Sequence, residues 1–233
     1  MTLDQWLALL QRPEDAIGAA LFLLVFPIYH SAYPLLMRVF PNQAAKGRFD
    51  LYRRSWIERL LERDDVVAAA QLTRNLTMVN TLLASSTLIL MGVTANILIQ
   101  LPQSDTLPLP HPAGLEAWPE TTAAKLLLLI ISFGVAFAYC MTSLRHLGHF
   151  NLVIGTDPKL IDAEEGSAVE YFATLINRAS NRYTLATRCL FSASPLFLWL
   201  FDTRLFILLT LFWGVKFIGF QDFAHVLRRR RPS

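Results

Sequence analysis

Three basic side chains stand inside long apolar runs of this 233-residue chain, where a charge is energetically costly. They are Arg188, Lys216 and His30, and Asn80 places an amide in another apolar run. A lone arginine or lysine costs about 2.5–3.5 kcal/mol at the centre of a bilayer, so a compensating interaction is expected. Either Arg188 and Lys216 extend to inner-leaflet phosphates, or all four residues face inward and form an electropositive vestibule for an anion or acidic headgroup.

A stripe of small and hydrogen-bonding side chains recurs at helical spacing within the apolar runs. Its members are Thr77, Ala84, Thr87, Ser132, Tyr139, Ser143 and Ser192. Steps of three and four residues place such groups on one helix face, which suits close helix packing. The alternative is that the stripe lines a pathway or a pocket.

Patterns that would indicate catalysis or metal binding are weak. His146 and His149 could share a metal on one helix face, but such a pair alone has little specificity. The apolar runs contain no aspartate or glutamate in their central parts, which disfavours a cation-coupled carrier. The sequence has no nucleotide-binding loop, catalytic triad motif or Cys-x-x-Cys motif. We therefore expect no enzymatic activity, no metal, no cofactor and no nucleic-acid partner.

The composition indicates a membrane protein. Apolar residues make up 54% of the chain and charged residues only 17%, whereas soluble domains have about 25% charged residues. A spanning helix needs about 20 predominantly apolar residues. We predict an all-α, polytopic membrane bundle of five transmembrane helices with a small cytoplasmic helical extension. The predicted spans are about 16–37, 76–99, 123–144, 184–201 and 205–221.

The basic residues indicate the orientation of the predicted bundle. Segment 38–75 carries eight, segment 145–182 carries four and the tail 222–233 carries four, so 16 of the 21 lie on one side. Because basic segments stay in the cytoplasm, these segments are predicted to be cytoplasmic. The proline-rich loop 101–122, which has no lysine or arginine, is then periplasmic. This places the N-terminus in the periplasm and the C-terminus in the cytoplasm of a bacterial inner membrane.

The segments beside the spans have helical patterns of their own. Residues 1–15 predict a periplasmic amphipathic helix, for which a frayed terminus is the alternative. A long helix is predicted from about residue 50 through the second span, bent near Asp64 and Asp65. Its first part would project into the cytoplasm or lie along the membrane. A further helix is predicted over 163–181.

Three stretches of sequence carry a resemblance to a known family. They are Leu83-Ala84-Ser85-Ser86-Thr87, Asn177-Arg178-Ala179-Ser180-Asn181 and Pro195-Leu196-Phe197-Leu198-Trp199. The chain resembles, over about 25–220, the bacterial and plant membrane proteins grouped as domain of unknown function 599. That family commonly turns with Gly-Pro at the place where Asp202-Thr203 stands here. The resemblance implies a multi-pass inner-membrane protein and supplies no reaction, substrate or cofactor.

Two functional hypotheses follow from these observations. In the first, the chain self-associates into a channel-like or anionic-lipid-binding assembly, with inner-leaflet anionic lipids as partners. Arg188 and Lys216 would attract the anion, and Asn80 and His30 would offer hydrogen bonds. In the second, the chain is a structural or accessory subunit of a larger membrane complex. An intramembrane enzyme ranks below both because no acid, base and nucleophile converge.

Overall fold

The computed structural model describes residues 13–29, 45–101 and 121–217, which contain helices and no strands. The helices are α1 (Pro13–Leu23), α2 (Ala45–Arg63), α3 (Val66–Gln100), α4 (Thr122–Val153), α5 (Pro158–Glu165), α6 (Ala168–Leu198) and α7 (Thr203–Val215). A π-helical turn, Leu24–Ile28, continues α1. The predicted all-α class is confirmed for these ranges. The predicted N-terminal amphipathic helix, His30, most of the loop 101–122 and the basic tail lie outside the described residues.

Two helices, α3 and α4, are long and apolar enough to cross a membrane. They contain the predicted second and third spans. Helix α7 is apolar but has only 13 residues. Helix α6 has 31 residues, but its first half carries charged side chains such as Glu170, Arg178 and Arg182. Length and composition alone therefore identify two candidate spans among the described helices.

Helices α3, α4 and α6 form the centre of the bundle and run antiparallel to their neighbours. Thr73 of α3 donates a hydrogen bond to Asn151 of α4, whereas Ala84, further along α3, packs with Cys140, earlier in α4. Between α4 and α6, Ser143 Oγ donates to the Ala179 carbonyl at 2.8 Å. These contacts fix the level of each residue along the bundle.

Helices α1 and α7 pack against each other in the same direction. Gly18 lies against Phe206, and Val25, in the π-helical turn seven residues later, lies against Gly214, eight residues later in α7. Glycines at both contacts let the two backbones approach closely. Helix α7 itself returns antiparallel to α6, because Phe191 of α6 stacks on Trp213 of α7 at 4.5 Å.

The turn between α6 and α7 is made by Trp199, Leu200 and Phe201, and Asp202 then caps α7. The Asp202 carboxylate accepts hydrogen bonds from the backbone N–H groups of Arg204 (2.6 Å) and Leu205 (3.3 Å). An aspartate in this position satisfies donors that a helix start leaves unpaired. Two helices with a tight turn between them are what the sequence predicts for this apolar block.

A second layer lies at one end of the bundle, where α3 begins and α4 ends; we call this the basic end. Helices α2, α5 and the first half of α6 pack there around a common apolar core. Its largest buried members include Ile57, Leu147, Phe150, Ile161 and Phe172. The predicted small helical extension therefore has its own packed core.

The prediction of one long helix through residue 64 is wrong. Asp64 has a left-handed backbone (φ 51°), which ends α2. Asp65 then caps α3 by accepting from the Ala68 N–H at 3.0 Å. The chain therefore breaks, rather than bends, at the pair of aspartates.

The predicted helix over 163–181 also differs from the structure. Gly166 has φ 84°, a left-handed conformation that glycine adopts without strain, and it ends α5. Helix α6 then begins at Ala168, where the Asp162 carboxylate accepts from the Ala168 N–H at 2.6 Å. It continues without interruption into the predicted fourth span.

Candidate functional site

Arg188 and Lys216 share a layer of aromatic rings between α6 and α7. The Arg188 guanidinium carbon lies 5.4 Å from the centre of the Phe217 ring. The Lys216 ammonium lies 4.3 Å from the Trp213 ring centre and 5.6 Å from that of Phe191. A desolvated cation over an aromatic face gains up to about 2 kcal/mol. Aromatic faces therefore offset part of the cost of placing both charges here.

The layer follows from helical spacing on two antiparallel helices. Trp213 stands on α7, Lys216 and Phe217 stand in the helical turn that follows it, and Arg188 and Phe191 stand three apart on α6. The Phe191 and Trp213 rings stack at 4.5 Å, and the Trp213 and Phe217 rings stack at 5.4 Å. Only the antiparallel register of α6 and α7 brings these five side chains together.

The two cations differ in their exposure. Arg188 is only 6% exposed, so its guanidinium lies inside the protein. Lys216 is half-buried, and among the described residues no carboxylate lies within ion-pair distance of its ammonium. Lys216 is therefore the more exposed of the two cations.

Asn80 does not join Arg188 and Lys216. Its amide nitrogen donates to the Leu76 carbonyl at 3.0 Å, and the side chain is 1% exposed. On α3 it lies one turn before Ala84, which packs with Ala186 of α6. Because a helix rises 1.5 Å per residue, Asn80 stands roughly 8–10 Å closer to the basic end than Arg188 does. His30, the fourth member of the predicted vestibule, lies outside the described residues.

The predicted stripe residues lie where helices meet. Ser132 Oγ donates to the Cys189 carbonyl at 3.0 Å and lies 2.9 Å from Ser192 Oγ. Ser143 Oγ donates its hydrogen bond to the Ala179 carbonyl of α6, and Ala84 packs at the point where α3, α4 and α6 converge. Every one of these contacts joins two helices of the same chain.

The remaining stripe residues are Thr77, Thr87 and Tyr139. Thr87 Oγ1 donates to the Ala84 carbonyl of its own helix at 2.8 Å. The Tyr139 ring lies 5.6 Å from the Arg182 guanidinium carbon. Thr77 Oγ1 and Asn80 Oδ1 are buried and have no hydrogen-bond partner among the described residues.

A buried polar cluster at the opposite end has no counterpart in the sequence predictions. Asp15 of α1, 7% exposed, accepts hydrogen bonds from Trp199 Nε1 (2.7 Å) and Thr203 Oγ1 (2.6 Å). Lys125 of α4 donates to the Trp199 carbonyl at 2.9 Å and lies 4.9 Å from the indole centre. The cluster fastens α1 and α4 to the turn between α6 and α7. In the sequence, the cluster is visible only as an aspartate and a lysine that stand at the starts of two apolar runs.

An open cavity of about 310 Å³ lies at the basic end, outside the apolar parts of the helices. Its lining residues are Glu165, Glu170, Tyr171, Thr174, Leu175 and Arg178. Nearby, burial lowers the pKa of Arg53, and the Asp50 carboxylate partly opposes that shift by raising it. Charges of both signs surround this cavity. Within the described ranges no three His, Cys, Asp or Glu side chains are grouped to hold a metal ion.

Comparison with known proteins identifies a family for this chain. No curated protein and no solved structure matches the chain. A family model described as protein of unknown function, DUF599, matches residues 17–225, which include all of α2 to α7 and most of α1. The resemblance predicted from the three sequence stretches is confirmed. The chain belongs to the DUF599 family of proteins of unknown function.

Proposed function

We propose that the chain crosses a bacterial inner membrane five times, through α1, α3, α4, α6 and α7. Their directions support this topology. Helices α3, α4, α6 and α7 alternate in direction, and α1 runs parallel to α7, as the first and fifth crossings of one chain must. The excess of basic residues at the basic end favours a cytoplasmic position for that end.

Cysteine labelling tests the topology. Gln100→Cys and Arg204→Cys, at the opposite end, are expected to react with a membrane-impermeant maleimide in intact spheroplasts. Leu152→Cys, whose side chain is 83% exposed at the basic end, is expected to react only after permeabilisation. Labelling of Leu152→Cys and Arg204→Cys from the same side would exclude five crossings in this arrangement.

We propose further that Lys216 of this chain binds the phosphate of an anionic phospholipid of the inner leaflet. The observation that carries this proposal is the half-buried ammonium of Lys216, held over Trp213 and without a carboxylate partner in the described ranges. A headgroup phosphate would supply the missing negative charge, because a lysine side chain in an apolar run extends its ammonium toward the headgroups. The buried guanidinium of Arg188 adds positive potential beside it. Asn80, on another helix and another level, is left out of this site.

A lipid site is favoured over an ion-conducting passage because the stripe is engaged in packing. The hydroxyl groups of Ser132, Ser143 and Ser192 donate hydrogen bonds to backbone carbonyls of the same chain. A pathway would need such groups to face an aqueous space. Absence of anion current from the purified protein in planar bilayers is expected, and a current abolished by Arg188→Ala would favour the channel-like form.

Native mass spectrometry of the purified protein tests the lipid site. After mixing with phosphatidylglycerol and phosphatidylethanolamine, the wild-type chain is expected to retain the anionic lipid preferentially. Lys216→Gln is expected to lose that preference and Lys216→Arg to keep it. Lys159→Gln, which removes the same charge from an exposed position on α5, is the matched control. Equal retention by Lys216→Gln and Lys159→Gln would overturn the proposal.

The same spectra report self-association and the second hypothesis. A single homo-oligomeric mass supports self-association, whereas a stoichiometric foreign chain supports an accessory subunit. The feature that favours an accessory role is the outward face of α3. Only 17% of its most apolar 18-residue window is buried inside the protein, and Met78, Leu82 and Ile89 are each more than 60% exposed. Lipid or another membrane subunit would cover this face.

A further inference from the structure

Helix α2 packs against the first half of α6 through two polar contacts. Arg53 Nη1 donates to Asn177 Oδ1 at 3.1 Å, and the adjacent Arg54 forms an ion pair with Glu170 at 2.5 Å. Asn177 and Glu170 are seven residues apart, which is about 10 Å along α6. Two neighbouring residues of α2 reach points about two turns apart on α6, which favours α2 lying across α6 over α2 lying along it.

These two contacts also orient the sides of α2. Asn177 is the nearer of the two partners to the apolar half of α6, and Glu170 is the farther one. The Arg54 side of α2 therefore points away from the apolar bundle. With 3.6 residues per turn, Arg48, Tyr52, Arg59 and Arg63 fall together on the side opposite Arg54. That side points toward the apolar bundle and the membrane plane.

The side of α2 formed by Arg48, Phe49, Tyr52, Arg59 and Arg63 is here called the basic flank. Phe49 is 55% and Tyr52 61% exposed, and their rings touch edge to face at 6.3 Å. Among the described residues, none of its three arginines is in an ion pair. Of the two glutamates of the helix, Glu58 lies on the same side as Arg54, and Glu62 lies between that side and the basic flank.

We infer that the basic flank of α2 lies on the anionic cytoplasmic surface of the chain's own membrane. Aromatic rings with polar edges and arginines are the side chains that settle at the headgroup level. The exposed rings, the unpaired arginines and the direction of the flank all fit that surface. The acidic side of the same helix then faces the cytoplasm. This surface is separate from Lys216 and does not depend on lipid binding there.

The number of arginines sets the expected strength of this contact. Each arginine near an anionic surface strengthens binding about fivefold, so three together change the ratio of membrane-bound to released α2 by roughly a hundredfold. The contact therefore depends on the anionic lipid content of the bilayer. The left-handed residue Asp64, which separates α2 from α3, lets α2 take its own direction.

Spin labels report the depth of each side of α2 in vesicles. A nitroxide is attached at Tyr52→Cys or Glu62→Cys in the full chain, in a Cys140→Ala, Cys189→Ala background. In vesicles with 30% phosphatidylglycerol, the label at 52 is expected to collide with oxygen and the label at 62 with a water-soluble nickel complex. In pure phosphatidylcholine, or after Arg48, Arg59 and Arg63 are replaced by glutamine, the label at 52 is expected to shift toward water.

A charge-matched variant separates a local effect from a general one. Replacing Arg145, Lys159 and Arg204 by glutamine removes the same charge and is expected to leave the label at 52 in the membrane. Equal water access at 52 and 62 in anionic vesicles would overturn the inference. A label at 52 shielded from both reagents would also overturn it, because a protein surface would then cover the flank. Lipid retention at Lys216 is measured separately, so failure of one proposal does not imply failure of the other.

Discussion

Replacing Gly18 by alanine tests whether α1 packs against α7 as the structure describes. A methyl carbon built at Gly18 would lie 2.9 Å from Phe206 Cε1 and 3.2 Å from Ile207 Cγ1. Phe206 has no freedom to move aside, since it is fully buried and stacks on the Trp199 indole at 4.4 Å. The added methyl group must therefore push the two helices apart.

Gly92 of α3 supplies the matched control. It is also a glycine within a helix, but a methyl carbon built there meets nothing within 4 Å. Both substitutions gain up to about 1 kcal/mol of helix propensity, and only Gly18→Ala suffers overpacking, which costs about 1–3 kcal/mol. The free energy of unfolding of Gly18→Ala is therefore expected to lie about 1–3 kcal/mol below that of Gly92→Ala.

Unfolding by sodium dodecyl sulfate in mixed micelles, followed by tryptophan fluorescence, measures this difference. Trp199 lies beside Phe206 and reports on this region directly. Gly214→Ala, whose methyl carbon would lie 3.1 Å from Val25 Cγ2, is expected to fall between the other two variants. If Gly18→Ala and Gly92→Ala unfold within about 0.5 kcal/mol of each other, the parallel contact of α1 and α7 is refuted.

Two further variants test the polar contacts. Asp15→Ala is expected to lower the free energy of unfolding by about 2 kcal/mol or more, because it leaves Trp199 Nε1 and the Thr203 hydroxyl without their acceptor. Asp15→Asn keeps an acceptor oxygen and is expected to lower the free energy of unfolding by less. Equal losses in the two variants would contradict this reasoning. Ser143→Ala removes a bond between α4 and α6 and is expected to cost about 0.6 kcal/mol. Thr142→Ala, whose hydroxyl bonds only to its own helix, is expected to cost nothing measurable in the same assay.

The helical class and the turn at Asp202 were predictable from the sequence for a clear reason. Apolar runs long enough for helices are visible in one dimension, and Asp202 and Arg204 interrupt the last run. The break at Asp64 was less accessible, because adjacent aspartates fit either an exposed helical turn or a cap. Only the left-handed backbone of Asp64 decides between them.

The environment of Arg188 and Lys216 could not be predicted from the same pattern. Both explanations drawn from the sequence placed a phosphate or an aqueous vestibule beside these cations. The aromatic layer arises because the antiparallel register of α6 and α7 sets Phe191 against Trp213, and a periodicity within one helix carries no information on the register between two. The cluster around Asp15 and Lys125 escaped prediction for the same reason.

The buried and half-buried charges of this protein are compensated in different ways. At the opposite end, Asp15 and Lys125 meet donors and acceptors of the protein itself, so that end is closed by internal contacts. Just after α7, Lys216 lies over the Trp213 ring and is only half-buried, and at the basic end the arginines of the basic flank form no ion pair among the described residues. Charge satisfied within the chain stabilises the fold, whereas charge left for an external anion is available for binding. Lys216 and the basic flank of α2 are therefore the places where a ligand of this protein should be sought.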